Sequence, residues 1–286
     1  MKLVEEKRKF HFLLASFVIC EILAVAFANN IIISQIPVEH YEPFGNQNVV
    51  QASANSGLLV LSVLLFTLFL IGVTKLGLDI IFRGIAILMP VLFLFFFLPF
   101  QTQMFSSELH LSDAVTNFLT VLSFLFIIIV GISILEGITP IINFAFILET
   151  SLIGSYLAVS FAPPTLFVFP IAFALYDIYA VFKGPLKTLI KVKKLKNEKE
   201  VKFINKKFGL LLARIGGVTI GAGDFTFYSM LVAAAFVLKG LVPSILVGIS
   251  IDVGIIITLY LLEKYKRPLP GLPIPIALGI ITMLLV

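Results

Sequence analysis

The chain has 286 residues, of which 59% are hydrophobic and only 13% charged, and its mean hydropathy is +1.10. A soluble domain of this length has no way to hide so much apolar surface, and apolar runs of about 18 to 25 residues recur along it; composition therefore excludes a soluble globular protein and points to a multi-span helical membrane protein. The net charge of +5 is confined to short segments beside those runs, which excludes a nucleic-acid-binding surface and fits the positive-inside rule.

Taken in order, Met1 to Lys9 is a charged head. Phe10 to Ala28 is the first expected span. It ends in Ala26-Phe27-Ala28, the form of a signal-peptidase site, but a run of ~19 residues exceeds the ~7–15 of a signal peptide's apolar core, so a retained anchor is expected. Cys20 lies inside this run and is the chain's one cysteine. It has no disulfide partner and reads as a buried, inert thiol. A polar loop over 29–56 carries no Lys or Arg. Further spans are expected at Gly57 to Thr74, Gly84 to Phe100, Ala114 to Leu135, Pro140 to Ala158 and Pro163 to Phe182. Lys183 to Phe208 is a strongly basic loop. Gly209 to Gly217, broken by Arg214 and Gly216-Gly217, reads as an interfacial lead-in to a span at Val218 to Leu238. Ser244 to Leu262 is the eighth span. The proline-rich Pro268 to Pro275 precedes the last, Ile276 to Val286.

Nine spans with a cytoplasmic N-terminus place 20 of the 21 basic residues on the inner side. Only Lys239 falls outside. The expected fold is therefore an all-α membrane protein of nine transmembrane helices in the cell membrane, N-terminus cytoplasmic and C-terminus outside. It forms one bundle with two functional parts: spans 1 to 5 (1–158) as scaffold and substrate access, and spans 6 to 9 (159–286) with the basic loop 183–208.

Five acids fall within spans: Glu21, Glu149, Asp177, Asp224 and Asp252. An ionisable group at membrane depth is costly, ~2.5–3.5 kcal/mol on insertion scales, so such groups mark function or pair with one another. Asp177 stands six residues before Lys183 and Asp224 six after Val218. A helical rise of ~1.5 Å per residue sets both at about the same depth on consecutive antiparallel helices. Glu21 and Asp252 read as pairing groups or cavity liners, and Glu149 as an acid near an outer helix end.

Two close carboxylates do not readily both ionise, so one keeps its proton while the other draws a proton from water. That division of labour is general acid–base hydrolysis of an amide. Gly221 and Gly223 remove side chains just before Asp224, leaving room for a second backbone or for water. Packing glycines are the plain alternative. In Leu269-Pro270-Gly271-Leu272-Pro273 the prolines leave backbone groups unpaired beside the expected cavity, where an extended substrate could pair. The chain has no HExxH or GxSxG, the signatures of zinc and serine hydrolysis. His11, His40 and His110 are scattered, and no metal or cofactor is expected.

Tyr176-Asp177, Gly221-Ala222-Gly223-Asp224 and Pro270-Gly271-Leu272-Pro273 resemble the YD, GxGD and PAL motifs of the presenilin and signal peptide peptidase aspartyl proteases. The run Phe225-Thr226-Phe227-Tyr228-Ser229 also resembles the presenilin sequence after its GxGD. The N-inside orientation is similar to presenilin, and Gly271 stands where the usual motif has alanine. The resemblance implies a compact, microbial type of intramembrane aspartyl endopeptidase, with Asp177 and Asp224 catalytic. Tyr176, Gly221, Gly223 and Leu269 to Pro273 would line the site or hold substrate. It implies single-span membrane proteins or remnant signal peptides as substrates, the lipid bilayer as surroundings, no nucleic acid and no required accessory subunits, and leaves the oligomeric state open, a homo-oligomer included. Prepilin-type GxGD peptidases are the nearest alternative. A transporter or ion channel built on the intramembrane acids is the alternative of another class.

Overall fold

The computed structural model describes residues 2–35, 42–183, 209–216, 218–265 and 269–286, of which 2–9, 74 and 79 are described by backbone alone. Most of the basic loop, 184–208, therefore lies outside the described residues, as do Gly217 and 266–268. Nine helices appear among those described: α1 (Lys2–Ile33), α2 (Val49–Lys75), α3 (Asp79–Glu108), α4 (Asp113–Glu136), α5 (Thr139–Ser160), α6 (Pro163–Phe182), α7 (Ala222–Lys239), α8 (Leu241–Tyr265) and α9 (Pro273–Leu285).

Eight of them are long and apolar enough to cross a membrane, and the chain is a multi-pass membrane protein. The ninth, α9, has 13 residues, roughly 20 Å at the α-helical rise, against a hydrocarbon core of ~30 Å. It begins at Pro273 rather than at the expected Ile276, because proline at the first helical position gives up only an N–H that has no partner there.

The region before α7 differs from expectation. Gly209–Leu211 is a turn of 3-10 helix, and Leu212–Ile215 (β1) pairs antiparallel with Val218–Gly221 (β2), Arg214 opposite Thr219 and Leu212 opposite Gly221. A hairpin thus replaces the interfacial lead-in and the first turn of the expected seventh span. The local signal is β-branched Val218, Thr219 and Ile220 behind a glycine turn, with Gly216 at φ 61.

α5 and α7 are the most buried helices and α2 the least. α7 packs chiefly on α5, α1 and α8. Its Ala233, Ala234 and Ala235 are fully buried, and small side chains let neighbouring backbones approach closely where lipid supplies no hydrophobic drive between helices. α8 and α9 close the same way. A Cβ on Gly254 would meet Pro275 Cα at 2.5 Å, and one on Gly279 would meet Ile251 Cγ1 at 2.8 Å. Phe17 on α1 stacks on Phe225 with ring centroids 4.2 Å apart, and Phe146 on α5 meets Phe225 edge-on at 5.1 Å. α6 joins this core along one face, through Leu166, Phe169, Phe173 and Ala174. Its main partners are α2 and α9, and it meets α7 through fewer contacts, with Phe169 and Phe173 packed on Phe227 at ring-centroid separations of 5.3 and 4.6 Å.

Candidate active site

Asp224 is the third residue of α7, with Gly221 as the N-cap. A carboxylate there faces the positive end of the helix dipole. It also reaches back to the Gly221 backbone, as an acid at the third position does in a capping box. The helix starts at Ala222 and not at Val218, so Asp224 sits in the first turn, and the equal-depth reckoning from helical rise does not hold as drawn. Asp177 lies five residues before the end of α6. The two carboxylates nevertheless come close enough to interact electrostatically.

The residues 269–272 bring the pair together. Leu272 N donates to Asp177 Oδ2 at 3.1 Å. The Gly271 Cα faces the other acid: a Cβ built there would stand 3.1 Å from both Asp224 Oδ1 and Oδ2. Tyr228, one turn beyond Asp224 and buried, donates its phenol to Gly271 O at 2.9 Å. Asp177, Asp224, Gly271 and Leu272 thus form one cluster where α6, α7 and the start of α9 converge. Leu269 and Pro270 lead into it, both half-buried, and Pro273 is the first residue of α9.

Gly221 and Gly223 have open space where a Cβ would project. Among the described residues they pack against no other helix, which speaks against the packing alternative. Tyr176 turns into the core, its ring edge-on to Phe173 at 6.1 Å. The sequence assigned no role to Tyr228. Its spacing of four from Asp224, which sets both on one helix face, was the available signal.

The other acids separate from this cluster. Glu21 is buried on α1, with Oε2 2.8 Å from where a Cβ on Gly248 would stand, and it lies within electrostatic reach of Asp252 on α8. That interaction is the repulsion of like charges rather than a hydrogen bond, and Glu21 Oε1 and Asp252 Oδ1 are both buried without a hydrogen-bond partner among the described residues. Glu149 is not at an interface: it is buried in the middle of α5, and its Oε2 has no hydrogen-bond partner. Among the described residues no group of three or more His, Cys, Asp or Glu could hold a metal ion.

Comparison with known proteins agrees with this geometry. The presenilin family model matches residues 196–286. Presenilin-B of Dictyostelium discoideum is 35% identical over 120 residues, a presenilin-like protein of Arabidopsis thaliana 40% over 73, and the presenilin homolog of Drosophila melanogaster 40% over 65. In its C-terminal region the chain is similar in sequence to the presenilins. These matches cover 41%, 26% and 23% of the chain, and span only 24%, 18% and 12% of those relatives' own length. The presenilin fold extends further. A presenilin family intramembrane aspartate protease solved in two crystal forms superposes with a TM-score of 0.60 in each, at 18% and 19% identity, over 95% of this chain and 96% and 94% of the other. The whole bundle therefore has the presenilin fold, and the hairpin, α7 and α9 lie within the part matched in sequence. Both comparisons favour presenilin over the prepilin-type alternative.

Proposed function

We propose that the chain is an intramembrane aspartyl endopeptidase that hydrolyses peptide bonds of single-span membrane proteins or remnant signal peptides. The observation that carries this reading is the pair Asp177 and Asp224, brought within electrostatic reach of each other, with the backbone of Gly271 and Leu272 laid against both carboxylates. One carboxyl of such a pair holds a proton and the other is ionised. The ionised group takes a proton from water as the water oxygen attacks the scissile carbonyl carbon. The protonated group gives its proton to the carbonyl oxygen. Collapse of the tetrahedral diol breaks the C–N bond, and a proton passes to the leaving amine. No covalent intermediate or cofactor enters.

Substrate reaches the pair laterally, past α2, the least buried span, and α6. Spans 1 to 5 (1–158) then serve as scaffold and access route, and 159–286 carries the chemistry. Among the described residues the sheet has two strands: β1 rests on α5, where Asn143 Nδ2 donates to Arg214 O at 2.8 Å, and β2 runs straight into the Gly221 cap of α7. An unwound substrate added as a further strand would be delivered toward Asp224. Gly221 and Gly223 leave room for it, and Leu269 to Pro273 holds its far side. Tyr176 supports Asp177 from the core. The N-terminus and basic segments face the cytoplasm, the host membrane is the cell membrane, and the enzyme works without accessory subunits.

The test is cleavage of a single-span reporter in liposomes by wild type, Asp177→Asn and Asp224→Asn. Each substitution removes one proton-transfer partner, so a loss of at least ~100-fold is expected in both, with unchanged thermal unfolding. Cleavage that survives either change refutes the pair.

A further inference from the structure

Gly271 O and Leu272 N–H are the two ends of a single peptide group. Tyr228 Oη donates to the first at 2.9 Å, and Asp177 Oδ2 accepts from the second at 3.1 Å. One peptide plane therefore links the two helices, gripped from α7 at its oxygen and from α6 at its nitrogen. Its Gly271 Cα bears on the Asp224 carboxylate from the third side. The Tyr228 ring has little freedom, being buried and tilted against Phe17 of α1 at a centroid separation of 5.7 Å. Its phenol also lies within electrostatic reach of both aspartates.

We propose that Tyr228 is a positioning residue for the aspartate pair: with Asp177 it clamps the Gly271–Leu272 peptide, and so fixes the 269–273 segment against which substrate is laid. A buried hydroxyl aimed at a backbone carbonyl acts by geometry. Prolines 270 and 273 flank this peptide and have no N–H to contribute, and glycine at 271 leaves the backbone free to rotate. Without the phenol, the segment is held from the α6 side only, by Asp177 on the Leu272 and Gly271 backbone. The segment is then free to shift on the α7 side, while both carboxylates remain. The consequence is loss of substrate register and affinity rather than loss of chemistry.

The kinetic part of this inference rests on the aspartyl-protease reading; the clamp itself does not. The test is therefore double, on full-length protein. Backbone hydrogen–deuterium exchange over 269–273 is measured without substrate in wild type and Tyr228→Phe, which removes one oxygen and keeps the ring against Phe17. Slow exchange of the Leu272 amide is expected in wild type, accelerated about fivefold or more in the variant, the worth of one hydrogen bond. Fast exchange in wild type overturns the clamp whatever the variant does, and so does equal exchange in the two. In reporter cleavage, Tyr228→Phe is expected to raise KM about fivefold with kcat little changed, and to spread the cut over neighbouring peptide bonds. A merely destabilised protein would lose active fraction and hence kcat, leaving KM and the cut position alone; that pattern overturns the positioning role. An exchange difference beside a wild type that cleaves no reporter upholds the clamp and refutes the protease reading instead.

Discussion

Gly154 on α5 lies so close to Ser229 on α7 that a Cβ at 154 would run into the Ser229 hydroxyl and stand 2.8 Å from Met230 N and 3.0 Å from Thr226 O. Two of these three neighbours are backbone atoms of α7, which cannot rotate away. Ser229 Oγ in turn lies 3.2 Å from Thr150 O on α5. The missing side chain at 154 is what allows α5 to press against the helix that carries Asp224. Gly154→Ala is expected to force the helices apart at a cost of about 1–3 kcal/mol, as overpacking does, and to lower the unfolding temperature in detergent by several degrees. A variant that melts with wild type would show that the contact is loose.

Gly271 is a second position where a single methyl decides the outcome. Alanine there would put its Cβ 3.1 Å from both oxygens of Asp224. A carboxylate can yield a few tenths of an ångström by rotating, so Gly271→Ala is expected to fold normally and to cleave more slowly. The branched Gly271→Val has no such escape and is expected to be nearly inactive. Misplacement by ~1 Å can cost about 100-fold in rate, and a smaller shift correspondingly less. Reporter kinetics beside a thermal melt check this; Gly271→Val cleaving at the wild-type rate would mean that Asp224 is not held where the structure has it.

The helical spans, the membrane setting and the aspartate pair were legible in the sequence because each has a strong local signal: long apolar runs, and acids where acids are costly. The hairpin over 212–221 was not. Its two strands have four residues each, and a short apolar, β-branched run beside a span has the same composition as the span's first turn. Reading Val218 as helical also distorted the depth of Asp224, although the pairing itself stood. Glu149 was assigned to an interface because sequence position along a helix does not reveal which face is covered. Tyr228 stood in plain view, but its role depends on Gly271, 43 residues away, and no local pattern encodes that contact.

The start of α6 depends on the loop before α2. Pro163 and Pro164 open the helix and have no N–H, so the donor at this end includes that of Ala162, the N-cap. Glu42 Oε1 accepts from Ala162 N at 3.1 Å. A cap of this kind is worth about 1 kcal/mol. Glu42→Ala is expected to lower thermal stability by that order and to reduce cleavage, since α6 carries Asp177 at its other end. Glu42→Gln keeps the accepting oxygen and should sit close to wild type. Equal behaviour of the two variants would mean that the carboxylate's charge, and not its hydrogen bond, matters.

Lys239 is the one basic residue that inside-positive sorting leaves on the outer side, and the structure supplies a reason for its presence. It is the last residue of α7, and its Nζ donates to Met283 O at 2.8 Å, in the final turn of α9. A cation at a helix C-terminus meets unpaired carbonyls and the negative end of the dipole. The bond ties the end of the aspartate-bearing helix to the end of the helix that follows the 269–272 segment. The ammonium is largely exposed, so water screens the interaction and its worth is about 1 kcal/mol at most. Lys239→Met keeps the apolar stem and removes only the donor. It is expected to lower the unfolding temperature slightly and to speed hydrogen exchange in the last turn of α9, with exchange at Leu272 unchanged because that amide is held from the other end. Faster exchange at Leu272 as well would mean that α9 moves as one rigid body, and that its outer anchor also sets the geometry at the aspartates.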